Sequence, residues 1–547
     1  MARPLIVASL LGGASFLFLQ SVATGFVNWD VVYRARVLRT WEETTPLLVF
    51  NGLHVLELWQ ARVAQFLSVA PLDAIDALRR VTNFAGALSV GLLAWATWRV
   101  TGLASCALGA SFTLAMCHGF WRVCAGGEEK AMAMTAILAA TIGLLATYGE
   151  LGRIALSRAA ERRVVALVVA YGILNHLVAA VTVPAAVGAS LLPSLGNQPR
   201  VRIGAVSAGI GFLLAGVVYL TIGVFWLGFR GPAELLGWVL QAHNSGYWMG
   251  NLGPTIQSYA MKLSTGLVTV VTANPALWID FDGNLVHALC ALLLGGALVL
   301  AHAARRTLPA GTRLIACMAI IWTAHFLFFE PNNLESWVPM LPVVLLLAWT
   351  GLAARMGSTP AGRAWLAGAS VLVPGLLLTA NLPVWRTMHQ EPCTMRAARL
   401  LAPKLPSGTL LLCGWERSWV SSGEDLYYQY FGSSVPGLQV LQDTGDPQLS
   451  TWPCRRWVRA EIARAWREGR PVLVSSSIHF DPNCLPEPLE AVPELQSDCL
   501  TLRRLTPPPQ TRDRRGEPAL PPTTDPAPGE GHPAPATPIR ADGERNR

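Results

Sequence analysis

Nine stretches of this 547-residue chain are apolar and long enough, or nearly so, to cross a bilayer. They are Leu5–Val27, Val81–Trp98, Leu103–Phe120, Ala131–Leu145, Ile203–Leu227, Leu285–Ala304, Leu314–Phe329, Val338–Ala354 and Ala364–Leu382. A hydrocarbon core about 30 Å thick needs roughly 20 apolar residues per helix. Lipid offers the backbone no hydrogen-bond partner, so runs of this kind fold as bundled helices. Val164–Leu192 is also apolar, but Asn175, His176 and Pro184 interrupt it, and it reads as two short helices meeting near Asn175. The expectation is an α-helical polytopic membrane protein with about eleven spans.

Composition agrees. Charged residues make up 14% of the chain and mean hydropathy is +0.40, where a soluble globular protein carries about 25% charge. That shortfall excludes an ordinary cytosolic enzyme, a disordered chain and a nucleic-acid binder. The ten cysteines form no CxxC pair, so a zinc ribbon or a thioredoxin-like site has no basis.

The net charge of +8 is a matter of arginines, since Lys130, Lys262 and Lys404 are the only lysines. Positive charge collects in cytoplasmic connections. With the N-terminus inside, the inside turns hold Arg99; Arg153, Arg158, Arg162 and Arg163; Arg200 and Arg202; Arg305, Arg306 and Arg313; Arg355 and Arg363. The later outside connections hold Arg122 and Arg230. The expected location is a bacterial inner membrane, N-terminus cytoplasmic. The first span reads as a retained anchor, its apolar run being too long for a typical signal-peptide core.

The expected transmembrane domain covers residues 1–382, with long outside segments at 28–80 and 228–284 that read as interfacial helices. Beyond Leu382, Thr409–Cys413, Leu438–Leu441, Val472–Ser475 and Leu500–Leu505 read as strands, and Glu424–Phe431 and Arg455–Glu468 as helices. Alternation of this kind predicts a small extracytoplasmic α/β domain over 383–506. Five cysteines fall in it: Cys393, Cys413, Cys454, Cys484 and Cys499. An oxidising compartment would let some of them pair. The Pro-rich stretch 507–547 has no periodicity and reads as a disordered tail.

Ionisable groups at the ends of spans are costly unless they serve a purpose. Four clusters fall on the same, outer side. Asn28-Trp29-Asp30 follows the first span, and its carboxylate could act as a general base, hold a metal or cap a helix. Arg122, Glu128, Glu129 and Lys130 precede the fourth span; the paired carboxylates could raise one pKa, share a cation or simply face solvent. Asn175-His176 sits in an apolar turn, where the histidine could bind phosphate or metal, or be structural. Glu330-Pro331-Asn332-Asn333-Leu334-Glu335-Ser336-Trp337 joins two spans and carries more polar chemistry than a turn needs. Four clusters beside one long amphipathic segment, which also contains His54, point to a polar cavity at the outer leaflet.

This arrangement resembles the GT-C superfamily of membrane glycosyltransferases, which includes protein O-mannosyltransferases and lipid A aminoarabinose transferases. The likeness is carried by Trp29-Asp30 after the first span, by the interfacial segment up to Arg80, and by Phe120-Trp121-Arg122 through Glu128-Glu129-Lys130-Ala131-Met132. Gly172-Ile173-Leu174-Asn175-His176 followed by Pro184 adds to it. Lys130 stands where the family usually has an aliphatic or aromatic residue. The resemblance implies an inverting glycosyltransferase that moves a sugar from a polyprenyl-phosphate donor to a hydroxyl of a lipid, glycan or protein acceptor. Asp30 would be the catalytic base. His54, Arg122, Lys130, Asn175, His176, Glu330, Asn333 and Glu335 would bind substrate, and Glu128 and Glu129 a divalent cation (Mg or Mn). A transporter or flippase of a lipid-linked or small polar substrate, or a non-catalytic membrane scaffold, is the alternative reading.

Overall fold

The computed structural model describes residues 2–22, 25, 29–42, 44–51, 53–152, 157–192, 198–239, 270–272, 302–329, 334–413, 424–442, 456–476, 489–498 and 500–506. The expected span Leu285–Ala304 lies almost wholly outside these residues, as do Asn28, Glu330, Asn333, Cys454, Cys484 and Cys499.

Small residues bring the first two long helices together. Helix α1 (Ala2–Ser21) packs along α5 (Ala74–Thr101). A β-carbon at Gly91 would come within 2.9 Å of the Ala8 carbonyl oxygen, and one at Gly12 within 3.2 Å of that of Ala87. Without a hydrophobic drive between helices in lipid, such close backbone approach is a main source of packing energy. Between α1 and α5 the chain makes three short helices: α2 (Trp29–Arg39), α3 (Pro46–Val49) and α4 (Glu57–Leu67).

After α5 the expected span Leu103–Phe120 divides at Cys117, whose extended backbone separates α6 (Ala104–Met116) from α7 (His118–Gly126). Gly127, at φ 92°, ends α7 and turns the chain into α8 (Lys130–Tyr148). That left-handed conformation is one glycine adopts without strain. Ser89 and Thr135 join α5 to α8 through hydroxyls 2.8 Å apart.

Helix α9 (Arg158–Asn175) stops at His176, a 3₁₀ turn covers Leu177–Val181, and α10 (Thr182–Leu191) follows. The apolar stretch thus breaks at Asn175, as its polar interruption predicts. Next come α11 (Gln198–Thr221), α12 (Pro232–Val239), α13 (Pro309–Phe329), α14 (Leu334–Trp337), α15 (Leu341–Met356) and α16 (Pro360–His389). Among the described residues five helical segments are long and apolar enough to cross a membrane: Arg3–Ser21, Lys130–Tyr148, Pro199–Trp226, Val338–Met356 and Pro360–Arg386. The protein is an integral, multi-pass membrane protein.

The C-terminal part holds α17 (Cys393–Leu401), α18 (Glu424–Phe431) and α19 (Arg456–Arg467) with a five-stranded sheet in the order β2-β1-β3-β5-β4. Strands β1 (Leu410–Cys413), β2 (Gln439–Gln442) and β3 (Val472–Ser475) are parallel, and β5 (Thr501–Leu505) runs antiparallel to β3. β1 and β3 are buried throughout, as apolar strands covered on both faces should be. Strand β4 (Leu489–Gln496) has no counterpart among the strands expected from sequence, and it contains Pro493, a residue that cannot donate to a ladder. It forms at the sheet edge, with a register shift between Ala491 and Gln496, where proline is tolerated. Cys393 is disulfide-bonded, and its partner is not among the described residues.

Candidate active site

Three neighbouring elements each bring one part of the site. The backbone at Leu53–Leu56 is tied to the end of α9: Leu56 N–H donates to Leu174 O, and Leu177 N–H to Leu53 O. This places the His54 and His176 rings 6.0 Å apart. Asp30 and Arg34 come from the inner face of α2, and the α7–α8 turn delivers Glu128, Glu129 and Lys130.

Arg34 is the hub, and it is buried. Its Nη1 bonds Glu57 Oε1 at 2.5 Å and also Glu129, while Nη2 lies 3.5 Å from Glu128 Oε2. Lys130 Nζ bridges Glu129 Oε1 at 3.1 Å and Glu335 Oε2 at 3.2 Å. Arg122 Nη2 reaches the other oxygen of Glu335 at 3.4 Å. His176 Nε2 lies 3.9 Å from Glu129 Oε1, and its Nδ1 accepts from Val178 N–H. Carboxyl groups outnumber the arginines and lysine of the cluster, so the acids cannot all ionise alike.

Their environments separate them. Burial raises Glu128, with the Glu335 and Glu129 charges adding to the rise. Burial would raise Glu129 too, but Arg34 and then Lys130 outweigh it and hold that carboxyl well below the usual range. Burial pushes Glu57 up to about 7 against the pull of Arg34. Burial depresses His54 to about 3, which leaves its imidazole neutral. His54 Nδ1 and Glu57 Oε2 lie 3.9 Å apart, and among the described residues neither atom has a hydrogen-bond partner.

Asp30 differs from these carboxyls. Arg34 Nε donates to its backbone oxygen at 3.0 Å, yet among the described residues no hydrogen bond or ion pair reaches its side chain. Burial and then the Glu129 charge raise it to about 6, opposed by Arg34 and Lys130. A carboxylate with open lone pairs and a pKa near neutrality is suited to accept a proton.

The structure thus gathers Asp30, His54, Arg122, Glu128, Glu129, Lys130, His176 and Glu335 into one cluster. Asn175 is turned elsewhere: its Oδ1 accepts from Gln60 Nε2 at 2.8 Å and its Nδ2 donates to Tyr171 O, joining α9 to α4. Glu330 and Asn333 fall outside the described residues. Sequence reasoning did not single out Arg34 or Glu57 as site residues, although the one-turn offset of Arg34 from Asp30 and the place of Glu57 in the amphipathic segment after it were visible. Among the described residues no group of three or more His, Cys, Asp or Glu is placed to hold a metal ion. Glu128 and Glu129, expected as cation ligands, are both reached by Arg34, and Glu129 also by Lys130.

The helical bundle, the short helices between its first two long ones and the small α/β part make up a fold shared with solved structures. Among solved structures the chain is similar to ArnT from Cupriavidus metallidurans bound to undecaprenyl phosphate, at TM-score 0.58 and 12% identity over 92% of this chain and 99% of that one. The same protein in its apo state gives TM-score 0.55 and 13% identity over 91% and 97%. An Archaeoglobus fulgidus oligosaccharyltransferase tethered with an acceptor peptide gives TM-score 0.50 and 12% identity over 86% and 68%. No family model matches the chain, and no curated protein matches it by sequence.

Proposed function

We propose that this protein is an inverting glycosyltransferase that moves a sugar from a polyprenyl-phosphate donor to an acceptor hydroxyl at the outer membrane face. The observation that carries this reading is Asp30: among the described residues its carboxylate has no partner, beside acids that Arg34 and Lys130 engage. Similarity over nearly the whole chain to a structure holding undecaprenyl phosphate supports the donor class.

In the proposed reaction Asp30 accepts the proton of the acceptor hydroxyl as its oxygen attacks the anomeric carbon. The carbon–oxygen bond to phosphate breaks, and the phosphate leaves with the electron pair. Cations that become available to it stabilise that charge. Side-chain exposure separates the candidates, since Arg34 is 6% exposed, Lys130 16% and Arg122 21%. Arg34 is the structural hub, and Lys130 and Arg122, both held by Glu335, are the cations that meet the phosphate. His54, whose imidazole is neutral, and His176 lie beside them as polar contacts.

The arginine bias and the Cys393 disulfide support a cytoplasmic N-terminus and an extracytoplasmic α/β domain. Transport is less well supported, because the charges gather around helix ends and an interfacial segment rather than at a span midplane. The test is transfer of radiolabelled sugar from polyprenyl-phosphate donors in membranes. Wild type should transfer and Asp30→Asn should not, although both insert. Full activity of Asp30→Asn removes the role assigned to that residue.

A further inference from the structure

The small α/β domain grips the helix that carries Asp30. On α2, Asp30 and Arg34 face the cluster, whereas Tyr33, Arg36 and Arg39 are exposed on the opposite face. That outer face lies against α18. Arg39 Nη1 donates to the Tyr430 backbone oxygen at 3.1 Å and its guanidinium stands 5.3 Å from the centre of the Tyr430 ring. Arg36 donates to Gln429.

The Tyr430 hydroxyl continues to a second element. It donates to the Asp73 carboxylate, with both oxygens 2.6 Å away. Asp73 occupies the N-cap position of α5, yet its side chain caps no helix amide. An aspartate there normally accepts from the helix's own N–H groups; this one is given over to Tyr430. One buried tyrosine is thereby fastened to the end of α2 and to the start of α5. Between those points runs the segment bearing His54 and Glu57.

We infer that Tyr430 is a positioning residue: by holding α2 to the start of α5 from the α/β domain, it sets the place of Asp30 against the cations beside it. The helix needs such a fastening. It has 11 residues, and an isolated helix of fewer than about 12–15 residues is marginal in water. The catalytic half of this inference rests on the transferase reading; the mechanical half does not.

The test uses the full-length purified protein and two measurements, amide hydrogen exchange over residues 29–39 and transfer kinetics. Tyr430→Phe keeps the ring over Arg39 and removes only the hydroxyl. It should speed exchange of α2 about tenfold, the scale of one lost hydrogen bond to a charged group. It should also lower kcat about tenfold while donor KM changes less than about twofold. Asp73→Ala should reproduce both effects, and adding it to Tyr430→Phe should add nothing. Asp73→Asn retains an acceptor oxygen and should stay near wild type, a rescue that general loss of folding would not show. Unchanged α2 exchange in Tyr430→Phe overturns the inference, and so does faster exchange with wild-type kcat. A wild type that transfers nothing from any donor overturns the transferase reading instead, and the exchange comparison still decides whether Tyr430 holds α2.

Discussion

Arg34 lies one turn beyond Asp30 on α2 but bonds its backbone oxygen, at 3.0 Å, rather than its carboxylate. The terminal nitrogens of the guanidinium are taken by Glu57, Glu128 and Glu129. One residue therefore fixes the helix while leaving the adjacent acid open. Had the carboxylate been paired, its pKa would fall and its basicity with it.

The pH dependence of transfer follows from this geometry. Burial and then Glu129 raise Asp30 to about 6, and a general base works in its ionised form. Thus kcat/KM should be flat above about pH 6 and fall about tenfold per pH unit below it. A profile measured from pH 4.5 to 8 that stays level across pH 6 would remove Asp30 from that role.

Arg34→Ala leaves Glu57, Glu128 and Glu129 buried without their shared cation. Removing one partner of a buried ion pair costs about 3–5 kcal/mol, and the Arg34 side chain is 6% exposed, so little solvent screening is available. Thermal unfolding in detergent should show a clearly lower midpoint. Adding Glu57→Gln to Arg34→Ala should recover part of the loss, which independent sites would not do.

Glu335 competes with any phosphate for Lys130 and Arg122, since it holds both at 3.2 and 3.4 Å. Glu335→Gln removes the competing charge. Binding of undecaprenyl phosphate, followed by fluorescence titration, should tighten about threefold or more, while Lys130→Met should weaken it about tenfold, the scale of one charge-assisted hydrogen bond. Weaker binding by Glu335→Gln would mean that the phosphate does not use these two cations.

Chelation checks the assignment of Glu128 and Glu129. Arg34 and Lys130 already supply the charge that a divalent ion would bring. Incubation with EDTA and subsequent dialysis should therefore change transfer less than about twofold. Loss of activity that Mg or Mn restores would return these carboxylates to a metal-binding role.

Local pattern made much of this legible beforehand. Apolar length marks α8, α15 and α16 because a helix satisfies its own backbone within lipid. Asn175-His176 announced a break because neither side chain is cheap in an apolar run. Glu424–Phe431 reads as a helix in sequence and is one in the fold. In contrast, Arg34 was one arginine among six in its segment, and its sequence contains no sign of partners 23 and 95 positions away. Strand β4 was not among the expected strands; it contains Pro493, which an edge position accommodates.

Sequence alone therefore determined that this chain lives in a membrane, that one apolar stretch breaks at Asn175, and which acids stand at helix ends. Those properties depend on hydropathy and on neighbours within a few residues. Tertiary structure decided which acids are neutralised and which stays open, and which side chain ties the α/β domain to α2. Ionic pairing in a buried site depends on distances of a few ångströms between segments far apart in the chain, and only the packed bundle sets them.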